Sequence, residues 1–160
     1  MTLISQLPDG ELIDLLSRYG IKVHLLAEDD EIIGSYWGAP EAGIIKNNLY
    51  VRNDTPVHSA LHESCHYICM TEQRRLTLHT DTGGDYDEEN AVCYLQVVLS
   101  DYFTNVDTRQ LCKDMDDWGY TFRLGSAIAW FEHDAEDPLQ WLISHNILTS
   151  KQSPTWKMRI

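Results

Sequence analysis

Apolar residues recur at helical spacing over most of the chain and alternate in strand fashion only between residues 21 and 51. Leu12, Leu15, Leu16 and Tyr19 give a first helix one apolar face, bracketed by Asp9 and Gly20. Ile21 to Leu26 then reads as a strand, Glu28 to Glu31 as a polar turn, and Ile32 to Trp37 as the returning strand of a hairpin. A second hairpin follows, with Gly43 to Lys46 and Leu49 to Arg52 joined by an Asn47-Asn48 turn. These segments predict a small, largely antiparallel sheet ahead of the helices. Val57, Leu61, Cys65, Ile68 and Cys69 form the stripe of a helix packed on a core. Thr55-Pro56 predicts its start, with a capping hydroxyl and proline at the first helical position. Residues 71–84 contain Gly83-Gly84 and no apolar period, which predicts a loop. Asp85 with Glu88 makes a capping-box-like start to the most apolar run of the chain, Ala91 to Leu99.

Three further helical patterns run from Asp107 to Trp118, from Gly125 to Glu132 and from Pro138 to His145, the last capped by Asn146. The polar tail from Ser150 to Ile160 predicts loose order. The chain therefore reads as one α+β domain over 1–160, with a sheet region at 21–51 and helices at 55–71, 86–102 and 107–146.

Composition narrows the partners. With 160 residues and 43% hydrophobic content the chain is long enough for one sizeable core. Its formal net charge of −13 argues against direct nucleic-acid binding, which needs clustered Lys and Arg, and against an anionic membrane surface. No stretch approaches the roughly eighteen apolar residues of a membrane span, and the start of the chain lacks the basic and apolar segments of a signal peptide. A cytoplasmic setting is expected, in which Cys65, Cys69, Cys93 and Cys112 stay reduced as small core residues.

The candidate chemistry sits at His62-Glu63-Ser64-Cys65-His66, an HExxH pattern on the predicted helix. Residues four apart share a helix face, so His62 and His66 can direct one nitrogen each at a single zinc ion, with Glu63 beside them as general base. His58 lies one turn earlier, about 12 Å from His66 along the axis, and reads as a rim histidine rather than a ligand. Cys69 and Glu72 stand where a metzincin continuation requires Gly and His, which excludes that class. The third ligand is then sought at the start of the next helix. Glu88 shares a face with Ala91, Leu95 and Tyr102, so its carboxylate is expected to point inward, where a metal would partner it. Glu89 shares a row with Gln96 and Ser100, which reads as a wetter face; Glu89 and Asp85 are the alternatives, with His79 and Asp81 in the loop less favoured.

The pieces His62-Glu63-Ser64-Cys65-His66 and Glu88-Glu89-Asn90-Ala91 resemble the gluzincin metallopeptidases, and among them the ImmA/IrrE group of small intracellular zincins. The resemblance covers roughly residues 40 to 100. It implies a zincin-like minimal metalloprotease domain, a zinc-dependent endopeptidase, and a protein substrate of the kind a transcriptional repressor represents. It also implies an oxyanion donor from a later segment, for which Tyr120, His133 and His145 are the candidates. An extended peptide is expected to pair with a sheet edge near Gly43 to Lys46. One position departs from the family: Val92 stands where an Asn or Asp supports the site, so either another group orients a histidine here or metal binding is weaker. The competing function is a zincin-fold binding module that keeps the metal without turnover.

Overall fold

The computed structural model describes residues 1–160. Seven helices surround a three-stranded mixed sheet in one α+β domain: α1 (Glu11–Ser17), β1 (Lys22–Leu25), β2 (Gly43–Ile45), β3 (Asn48–Val51), α2 (Val57–Cys69), α3 (Glu72–Thr77), α4 (Tyr86–Ser100), α5 (Thr108–Trp118), α6 (Ala127–His133) and α7 (Glu136–Ser144). No helix is long and apolar enough to cross a membrane. A cluster of 38 buried apolar residues runs from α1 through the sheet to α7, with α2 and α4 packed together at its centre. All four cysteines are buried free thiols.

The second hairpin forms much as its pattern suggests, β2 against β3 with Ile44 opposite Leu49, but its turn falls one residue earlier, with Lys46 at φ 52°. The first hairpin does not form. Residues 32–37 are a turn with one bridge to the sheet, Ser35 to Gly43, and β1 instead pairs in parallel with β3 to give the order β1-β3-β2. Gly43 permits that bridge, because a Cβ there would lie 1.9 Å from the Ile33 carbonyl oxygen. The outer edge of β2 is already occupied: Ile44 N–H donates to Gly34, Thr80 N–H to Ile44, and Lys46 N–H to Leu78. An incoming peptide therefore finds no free edge at Gly43 to Lys46.

Three further expectations are corrected. Pro56 is the N-cap of α2 rather than its first residue, and Thr55 Oγ1 caps the preceding turn by accepting from Arg52 N–H. Residues 72–77 are helical, with the Thr71 hydroxyl accepting from Arg74 N–H; the segment is too short and polar to show an apolar period. The tail is docked rather than loose. Trp156 packs on Tyr19 and Tyr102 beneath the Arg18 guanidinium, and Arg159 N–H donates to the Ile68 carbonyl at the end of α2. Asn146 follows α7 at φ 58°, the left-handed residue expected after a helix end.

Candidate metal centre

Every residue of α2 is buried except His62 and Glu63. The helix is thus a core element with one small opening, and its chemistry lies in that opening. His66 is almost covered, while His62 reaches the surface; their Nε2 atoms lie 3.2 Å apart. The third group is Glu89 of α4, whose Oε1 is 3.3 Å from His62 Nε2 and whose Oε2 is 2.9 Å from His66 Nε2. Ligands at about 2.0–2.1 Å around a tetrahedral zinc stand about 3.3–3.4 Å from one another. The two nitrogens stand at about that separation, and each lies within 3.3 Å of a Glu89 oxygen, so two nitrogens with one of those oxygens form a donor set suited to zinc. The residues present fit the ion, with Glu89 rather than Glu88 completing them.

Glu88 does point inward, as its row of apolar neighbours suggests, and it is buried. Its partners, however, are two guanidinium groups. Arg74 grips both carboxylate oxygens at 2.7 and 2.9 Å, and Arg159 reaches Oε1 at 3.1 Å. A buried acid needs a countercharge, and these arginines, one on α3 and one in the tail, supply it. Asp85 caps α4 by accepting from Glu88 N–H, and no ligand atom of Asp85, His79 or Asp81 joins the cluster.

Burial pushes the Glu89 carboxyl upward, but hydrogen bonds from His62 and His66 outweigh it and hold the group well below the ordinary range. Burial also pushes Glu63 up, to about 7, with Glu41 and Glu89 adding to the rise and His62 opposing it. A carboxylate tuned near neutrality suits a general base. Glu63 lines a cleft of about 230 Å³ together with Trp37, Glu41, Trp118 and Tyr120.

Gln96 is the site residue that the sequence reading missed. It is fully buried in α4, and its Nε2 donates to the His58 carbonyl at 2.7 Å. A carbonyl only accepts, so the amide oxygen must face His62 Nδ1, at 3.1 Å. Nδ1 therefore carries a proton, so the Nε2 proton that now faces Glu89 is the one a metal would displace, leaving the Nε2 lone pair as the ligand. Gln96 thus orients His62 in a helix where Val92 offers no polar group. His66 Nδ1, in contrast, has no hydrogen-bond partner. The signal for Gln96 was its place as the one amide inside the most apolar run of the chain, since a buried amide requires partners. Gln96→Leu should keep the packing and weaken zinc affinity about 10–100-fold, measured by competition with a chelating dye.

His58 is not at the rim but buried; its Nδ1 meets the Tyr120 hydroxyl at 3.2 Å, and burial pushes its pKa down to about 4. Tyr120 reaches this position because α5 ends at Gly119, left-handed at φ 117°, which turns the chain back so that the Tyr120 ring packs edge-on against His62. The other two donor candidates lie elsewhere: His133 is exposed beside Glu132, and His145 stacks on Trp141. Comparison with known proteins adds no identity, since no family model, curated protein or solved structure matches the chain.

Proposed function

We propose that the protein is a zinc-dependent peptidase with a zincin-like domain, similar in kind to the ImmA/IrrE group and acting on peptide bonds of a protein substrate. The observation that carries this reading is the convergence of His62 Nε2, His66 Nε2 and the Glu89 carboxylate on a cleft that also holds Glu63. Zinc held by His62, His66 and Glu89 would supply Lewis acidity and activate a water for attack.

The chain's own groups divide the remaining work. Glu63 stands in the cleft beside His62, where it takes a proton from the attacking water and returns it to the leaving nitrogen. Gln96 keeps His62 in the tautomer whose Nε2 is free, and Glu89 fixes the third direction. Tyr120, its ring held by the His62 and His58 contacts, is the hydroxyl donor nearest the developing oxyanion and would turn its proton from His58 Nδ1 to reach it. Trp37 and Trp118 form walls that limit water around the reacting bond.

The test is incubation of the zinc-loaded protein with a peptide library derived from cellular proteins, with fragments read by mass spectrometry. New termini that vanish with a chelator and return on adding zinc are expected. A full equivalent of zinc with no cleavage of any peptide would favour the binding module instead.

A further inference from the structure

The cleft has a second acidic group that the proposed chemistry does not use. Glu41 is 6% exposed, yet no Lys or Arg of the chain pairs with it. The Ser59 hydroxyl, which lines the same cleft, accepts the Ala42 N–H at 2.9 Å and so ties this loop to α2. Contrast Glu88, equally buried and held by two guanidinium groups. Burial pushes such a carboxyl toward its neutral form, and a cation from outside the chain would hold it ionised.

Its surroundings indicate what that is. No Lys or Arg lines the cleft, whose acidic groups are Glu41, Glu63 and Glu89 and whose one basic group is His62, and Trp37 and Trp118 present aromatic surface beside them. Trp37 is 76% exposed and Trp118 44%, so both rings are open to a ligand. Aromatic faces beside a carboxylate favour an ammonium or guanidinium. The space of about 230 Å³ is smaller than a drug-sized site of about 300–1,000 Å³ and suits a single residue.

We propose that Glu41 is the specificity-determining residue of the cleft and receives a cationic group of the substrate, seated against Trp37 and Trp118. The cation is either the side chain of a basic residue or the free amine at a peptide N-terminus. This deepens the peptidase reading and rests on it for the word substrate, but the recognition is measurable without turnover.

The experiment uses the full zinc-loaded chain and four probes: acetylated tetraalanine amides carrying one lysine, one arginine or one norleucine, and the norleucine peptide with its amine free. Binding is followed by tryptophan fluorescence, and cleavage by mass spectrometry. At least one cationic probe is expected to bind about tenfold or more tightly than acetylated norleucine. Preference for the lysine and arginine probes identifies a side chain; preference for the unacetylated norleucine probe identifies the terminal amine. In Glu41→Gln the ratio of cationic to neutral affinity should collapse toward one. Equal binding of all four probes to the wild type overturns the proposal, as does a ratio that survives Glu41→Gln. Charge-selective binding leaves the Glu41 assignment standing whether or not these probes are cleaved, while the peptidase reading stands or falls with the library experiment.

Discussion

Glu89→Ala is expected to leave the purified protein without zinc, while Glu88→Ala keeps a full equivalent and loses stability instead. The two side chains are neighbours on one helix turn, yet they face different partners. Glu89 contributes both oxygens to the histidine pair, at 3.3 and 2.9 Å, so its removal deletes one of three protein ligands. Changes one shell further out cost about 10–100-fold in metal affinity, and loss of a direct ligand should exceed that range. Glu88 touches only Arg74 and Arg159. Deleting it strands two guanidinium groups and costs about 1–3 kcal/mol, less than for a fully buried pair because both arginines reach water. Metal analysis and thermal melting of the two variants together make the check. Zinc retained in Glu89→Ala and lost in Glu88→Ala would reverse the ligand assignment.

Glu63→Gln should retain zinc and lower turnover about 10²–10⁴-fold, the usual contribution of a positioned general base. Glutamine keeps the shape and removes the proton acceptor, so metal content separates a chemical defect from a structural one. The pH profile gives a second readout. Burial raises the Glu63 carboxyl to about 7 in the protein alone, and a nearby zinc charge would move the midpoint lower. A base works only when deprotonated, so the rate should climb with rising pH through that midpoint and flatten above it. The slow residual rate of Glu63→Gln should lack that limb. A variant with unaltered kcat/KM would remove Glu63 from the mechanism.

The contrast between legible and hidden parts of this site follows the range of the interactions. His62, Glu63 and His66 lie within five residues on one helix, so their geometry is fixed by local periodicity and could be read directly. The choice between Glu88 and Glu89 turns on a rotation of one residue about α4, and it was decided by Arg74 and by Arg159, which is 71 positions away. The row containing Gln96 and Ser100 looked solvated because both residues are polar. Both are fully buried, satisfied by hydrogen bonds that hydropathy cannot register. The sheet shows the same division. The β2–β3 hairpin is a local feature and was visible, whereas the parallel β1–β3 pairing joins segments more than twenty residues apart and left no mark in the alternation.

The Glu88 cluster bears on how a metal would reach the site. None of His62, His66 and Glu89 belongs to the apolar core, and the first turn of α4 is clamped to α3 and to the tail by Arg74 and Arg159. The two halves of the site are therefore anchored by interactions that do not involve the ion. Small zinc modules fold only as the metal binds, so their occupancy is settled with folding. On the proposed reading, loading would be separable from folding: zinc would exchange at a standing scaffold, and the active fraction would follow the free zinc concentration around it.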